Sequence, residues 1–124
     1  NLLYTIYLTF IIKNFKMKNL LLFILLLVSP AFFAQKQAGV SIQTNAQCGD
    51  CKERIETELN QTKGVIYAEL NLETKVVEIK FRPGKVNPEA LHKVITSIGY
   101  NADDQKADPR AQKALPLCCQ PGGH

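Results

Sequence analysis

The residues of this sequence best suited to chemistry are its four cysteines: Cys48 and Cys51, spaced C-x-x-C, and the adjacent pair Cys118 and Cys119. A C-x-x-C pair where a loop enters a helix puts the two Cβ atoms about one helical turn apart, so both sulfurs can face one small ion. Thiolate, not thiol, is the ligand, and the unpaired amides at a helix start favour negative charge, which lowers a cysteine pKa there. Lys52 and Arg54 add positive potential close by. Soft thiolates select Cu(I), and by the same softness Hg(II), over hard cations, while two sulfurs alone leave Zn(II) short of its usual four ligands. The expected cargo is a soft metal ion, Cu(I) first, with Hg(II) or Zn(II) as alternatives.

Cys118 and Cys119 are neighbours, a spacing at which an intrachain disulfide is strained and uncommon. The stretch from Asp104 to Cys118 spans roughly 45 Å when extended, longer than a small domain, so it can reach the first pair. Cys118 and Cys119, with His124, are expected either to complete a three- or four-ligand site with Cys48 and Cys51 or to form a second site. The competing expectation is a disordered tail whose thiols scavenge metal weakly or pair between molecules. His92 stands one position off an apolar helical stripe and reads as a surface residue. Neither histidine forms a protease-like zinc motif.

The elements that must position these thiols follow from hydrophobic periodicity. Gly39 to Thr44 alternates, with Val40 and Ile42 on one face, as a half-buried strand does. Cys51, Ile55 and Leu59 then recur every four residues among charged neighbours, an amphipathic helix that ends at Gly64. Val65 to Leu72 reads as a strand with Ile66, Ala68, Leu70 and Leu72 on one face, and Lys75 to Phe81 as another with Val77, Ile79 and Phe81 inward. Asn87, Pro88 and Glu89 open a second helix, whose apolar stripe is Leu91, Val94, Ile95 and Ile98 and whose cap is Gly99. Tyr100 to Ala102 is expected as a short last strand. The order βαββαβ gives an α+β, ferredoxin-like sandwich with two helices on one face of a four-stranded antiparallel sheet. Residues 105–124, rich in Pro and Gly, are expected as a flexible, irregular tail carrying the Cys-Cys pair.

The start of the chain is of another kind. Up to Ala34 it is nearly all apolar, with no acidic residue and only Lys13, Lys16 and Lys18 charged. Met17 and Lys18 make a short basic region, Leu20 to Val28 an apolar one, and Ala31 and Ala34 a small-x-x-small end, the pattern of an export signal cleaved after Ala34. The uncharged run is short of the roughly 20 residues a membrane-spanning helix needs and contains Pro30. Residues 1–16 are read as upstream translation, 17–34 as the signal peptide and 35–104 as the folded domain. No cysteine follows the cleavage point to accept a lipid anchor, so the mature form is expected free of the membrane. Three of the 15 Lys plus Arg precede Ala34, leaving 12 against 11 acidic residues, so the basicity that would suggest nucleic acid is largely confined to the leader.

Residues 40–103 resemble the heavy-metal-associated domain of copper chaperones, of the amino-terminal modules of copper-pumping ATPases and of the periplasmic mercury-binding protein. The resemblance rests on Cys48-Gly49-Asp50-Cys51, Gly64-Val65, Asn71-Leu72-Glu73-Thr74 and Ile98-Gly99-Tyr100-Asn101-Ala102. The family usually has Gly-Met-Thr or Gly-Met-Ser before the first cysteine, where this chain has Asn45, Ala46 and Gln47. The resemblance implies Cys48 and Cys51 as ligands, with the Tyr100 loop beside them so that its ring either shields the metal or simply packs the core. It also implies a metal-transporting membrane protein or another metal-binding domain as transfer partner.

The reading is thus an exported metal carrier or scavenger, periplasmic in a Gram-negative source, and not an enzyme. A mercuric-ion scavenger is the alternative within the class. Outside it stand a thiol-disulfide oxidoreductase, which the strand order and the absence of Trp disfavour, and an interaction domain with a permanent Cys48–Cys51 disulfide.

Overall fold

The computed structural model describes residues 2–10, 13, 19 and 36–123. The leader expected over 17–34 and its cleavage point fall, save for Asn19, outside the described residues, as does His124. Two compact units result, Asn1–Gln35 and Lys36–His124. In the first, residues 2–10 are helical, with Thr9 Oγ1 donating back to the carbonyls of Thr5 and Ile6. Among the described residues no helix is long and apolar enough to cross a membrane.

The second unit is built on three strands: β1 (Ala38–Gln43), β2 (Val65–Asn71) and β3 (Val76–Phe81), ordered β1-β3-β2 with both pairs antiparallel. β3 is central because its inward residues are the most continuous apolar set. Val77 lies between Ile42 and Leu70, and Ile79 between Val40 and Ala68. The register between β2 and β3 shifts at Val65/Tyr67. Ile66, expected inside with Ala68 and Leu70, consequently lies 39% exposed.

Helix α1 (Gly49–Gln61) buries Cys51, Ile55 and Leu59, the stripe that the four-residue spacing predicts. Helix α2 (Pro88–Ser97) starts where Asn87 Oδ1 accepts from the Ala90 amide, and it buries Leu91 and Ile95. Both stripes enter one core with Ile42, Leu70, Val77 and Ile79. Each wholly buried Ile or Leu stabilises such a core by about 1.5–3 kcal/mol relative to exposure. α1 also covers the free edge of β2: Glu56 Oε1 accepts from the Leu70 amide at 2.7 Å and Asn60 Oδ1 from the Ala68 amide at 2.9 Å.

The architecture is the expected α+β, ferredoxin-like sandwich, with one correction. The fourth strand at Tyr100–Ala102 is reduced to a single bridge, Thr44 to Ala102. The chain turns back at once, because Ala102 also bridges Gln105 and Asp103 takes a left-handed φ of 50°. Asp103 replaces the missing ladder: its backbone amide donates to Gln43 O at 2.9 Å, and its side-chain Oδ1 accepts the Gln43 amide at 2.8 Å.

The expectation of an irregular tail over 105–124 is also corrected. Asp108 Oδ1 accepts from the amides of Arg110 and Ala111 and, with Pro109 at the first turn, starts helix α3 (Pro109–Ala114). A 3₁₀ turn, Leu117–Cys119, follows. Local capping outweighs the proline content here, since Pro109 occupies a position whose amide has no helical partner. Leu115 and Cys119 then join the core.

Candidate metal centre

Cys48 is the N-cap of α1 and Cys51 lies within its first turn; the Lys52 amide donates to Cys48 O at 3.1 Å as the first helical bond. The loop before them is held at two points. Thr44, buried, donates its hydroxyl to Lys75 O at 2.9 Å and accepts the Ala46 amide at 3.3 Å. Asn45 Oδ1 accepts the Asn101 amide at 2.9 Å, across 56 positions of chain. Asn45, Ala46 and Gln47 thus make a loop braced by side-chain hydrogen bonds rather than by a methionine packed inward.

The Cys48 and Cys51 sulfurs stand 3.2 Å apart. Cys48 Sγ is also 3.8 Å from Cys119 Sγ, which in turn is 3.8 Å from Cys118 Sγ. Cys48, Cys118 and Cys119 have their sulfurs all within 4.8 Å of one another. All four cysteines are free thiols, Cys51 and Cys119 buried and Cys48 and Cys118 half-buried. The structure therefore brings both sequence-predicted pairs to one place.

The electrostatics separate the thiols. Burial raises the Cys51 thiol, but backbone hydrogen bonding at Gln47 and Cys48 and the neighbouring Cys48 and Cys119 thiols outweigh it and bring Cys51 down to about 7. That is the effect expected of a helix start. Cys48 is raised, chiefly because its thiol is bonded to Cys51. Burial first, then Cys51, pushes Cys119 up to about 12. One thiolate at Cys51 is thus set among neighbours that remain protonated.

Tyr100 is fully buried, and its hydroxyl lacks a hydrogen-bond partner within normal reach. Burial, and after it the adjacent Cys119 and Cys51 thiols, push its pKa up, so it stays a neutral donor. The resemblance placed this ring beside the cysteine loop, and there it also packs the core. An unpartnered donor next to sulfurs fits a thiolate-held soft ion, since charged sulfur would accept the hydrogen bond that a neutral thiol leaves unmade.

A family model described as heavy-metal-associated domain matches residues 44–101. Residues 44–101 form a heavy-metal-associated domain. Among curated proteins, the copper-exporting P-type ATPase of Staphylococcus epidermidis is 48% identical to this chain over 65 residues, covering 52% of this chain and 8% of that one. Copper-transporting ATPase 2 of Mus musculus is 36% identical over 70 residues, covering 56% and 5%. The chain spans under a tenth of the length of these ATPases. Among solved structures, the CopZ metallochaperone aligns with a TM-score of 0.51 and 29% identity over 52% of this chain and 98% of that one. Oxidized MerP from Ralstonia metallidurans CH34 aligns with a TM-score of 0.53 over 55% and 96%; at 19% identity it speaks for the fold alone.

Sequence reasoning left two features of the domain unread. Asp50 Oδ2 lies 3.9 Å from Cys118 Sγ. His92, read as a surface residue, is bound at both ring nitrogens, Nδ1 to Pro88 O and Nε2 to Asp103 Oδ2, each at 2.7 Å. The Asn87-Pro88 start placed His92 one turn above Pro88, but nothing in its spacing pointed to Asp103.

Proposed function

We propose that this protein binds a soft metal ion, Cu(I) first, between Cys48 and Cys51 and passes it on by ligand exchange, without covalent catalysis. The observation that carries the reading is the 3.2 Å thiol pair at the start of α1, with Cys51 drawn down to about 7. Cys51 supplies the first thiolate near neutral pH, and Cys48, half-buried, supplies the second at the surface as the ion displaces its proton. A partner thiolate entering beside Cys48 would share the ion before Cys48 or Cys51 lets go. The relatives support copper as the cargo, because those with 48% and 36% identity are named as copper ATPases and CopZ as a metallochaperone. The partner we propose is a metal-transporting membrane protein or another thiol-bearing domain of this kind. Export, with cleavage after Ala34, is part of the proposal and rests on the 17–34 pattern.

The deciding experiment is anaerobic Cu(I) titration of the reduced protein against a competing chelator, beside Cys48→Ser and Cys51→Ser and with Hg(II) and Zn(II) in parallel. Cu(I) retained against the chelator and lost in both variants is the expected result. Preference for Hg(II) would move the reading to a mercuric-ion scavenger. Retention of no metal would sink it in favour of redox chemistry or a structural disulfide.

A further inference from the structure

We propose that Cys118 and Cys119 are themselves metal ligands, and that with Cys48 and Cys51 they hold the soft ion in three- or four-sulfur coordination beneath the docked C-terminal segment. This deepens the reading of Cys48 and Cys51 as a metal site and rests on it.

Sulfur spacing is the first argument. With metal–sulfur bonds of about 2.3 Å, two sulfurs on a linear ion lie about 4.6 Å apart, whereas those on a trigonal or tetrahedral ion lie about 3.8–4.0 Å apart. The Cys48–Cys119 and Cys118–Cys119 separations are both 3.8 Å. They match an edge of the higher-coordinate site, and the Cys48–Cys51 pair, at 3.2 Å, opens as the ion enters.

The second argument is that the segment is built to dock. Asn101 Oδ1 accepts the Ala107 amide at 3.0 Å while the Asn101 amide is held by Asn45 Oδ1, so one residue, Asn101, ties the cysteine loop to the chain beyond the family match, which ends at residue 101. The Asp108 amide donates to Thr96 O at 2.9 Å. Gly99, at φ +99°, lets α3 approach so closely that a Cβ there would stand 2.8 Å from the Gln112 amide nitrogen. Gln120 then bonds to the carbonyl of Leu115 at 2.7 Å, folding the last turn so that Cys119 is 2% exposed and faces the first pair.

The third is the unpartnered Tyr100 hydroxyl, buried beside Cys119 as well as Cys51. A thiolate at either sulfur would satisfy it.

The consequence is a difference in handling. An ion held by two sulfurs is open to a partner's third sulfur. Here the chain's own sulfurs fill that position, so the ion is retained until the C-terminal segment lifts. The protein then acts as a closed holder more than as a fast shuttle.

The test uses the full chain, reduced and anaerobic, kept in mild detergent because of its apolar start and loaded with one equivalent of Cu(I). X-ray absorption at the copper edge should count at least three sulfurs, falling to two in Cys118→Ser/Cys119→Ser. That double variant should still bind Cu(I), with affinity lowered about tenfold or more, at least what losing an outer-shell partner costs. Cys118→Ser alone, at a half-buried position, should weaken binding in the same direction with the far-ultraviolet spectrum unchanged. Two sulfurs in the full chain, or unchanged affinity in both variants, would overturn the ligand role of the C-terminal pair and leave Cys48 and Cys51 standing. Failure of the full chain to hold Cu(I) against the chelator would overturn both readings.

Discussion

The Cys48 and Cys119 sulfurs, 71 positions apart in the chain, stand 3.8 Å from each other. Cys48 is also 3.2 Å from Cys51 and Cys119 is 3.8 Å from Cys118, so the two pairs meet through Cys48 and Cys119, while Cys118 stands at the outer end. Cys48→Ser is therefore expected to lower Cu(I) affinity about 100-fold or more, beyond the loss in Cys118→Ser. Chelator competition on the single variants checks the order. Equal losses at Cys48 and Cys118 would contradict a site centred on Cys48.

Gly99→Ala places a Cβ against the backbone of α3 and demands a left-handed φ of 99° from a residue that avoids it. The expected cost is about 2 kcal/mol or more in urea unfolding, with a lower midpoint and an unchanged slope. Hydrogen exchange should quicken first at the Gln112 and Leu115 amides of the α3 segment.

Tyr100→Phe removes a buried hydroxyl that has no hydrogen-bond partner. An unmade buried bond costs about 1–3 kcal/mol, so the metal-free variant is expected to be as stable as the parent, or more stable by about 1 kcal/mol. The gain should shrink once metal is bound, because the hydroxyl then has thiolate to donate to. Thermal melts with and without Cu(I) read both effects.

His92 binds two acceptors, which only the doubly protonated ring satisfies. Burial lowers its pKa, but the Pro88 carbonyl and the Asp103 carboxylate outweigh burial and raise it above 6.5. Asp103 is held below 3.8, first by His92 and then by the Gln43 amide. The His92 contribution to stability is complete below its unfolded value and is lost as pH rises through the raised folded pKa. The Asp103 contribution is present above its unfolded value and is lost as pH falls through the lowered folded pKa. The pair should thus support the fold most between pH 3.8 and 6.5. Because Asp103 is open to solvent, His92→Gln should cost only about 0.5–1 kcal/mol near pH 5.5, and less near pH 9. A deficit that grows toward high pH would contradict the assignment.

Periodicity alone gave the three paired strands, both long helices and their inward residues, because Ile42, Ile55, Leu70, Val77, Leu91 and Ile95 repeat at the spacing of the element that buries them. It gave too much at Ile66, since alternation cannot reveal the register shift beside it. It gave too much again at Tyr100–Ala102, where side chains of Asn45 and Asp103 do the work of a ladder. It gave too little beyond Lys106, where the prolines that suggested disorder include Pro109 at a helix start.

The sequence by itself determined the chemistry of the centre: a C-x-x-C pair at a helix N-terminus is local, and its spacing follows from one turn of chain. Only the tertiary structure decided how many sulfurs meet there. Bringing Cys118 and Cys119 to Cys48 depends on a hydrogen-bonded relay through Asn45, Asn101 and Ala107 and on the space that Gly99 leaves for α3. Those contacts join residues far apart in the chain, and no pattern of spacing along the chain encodes them.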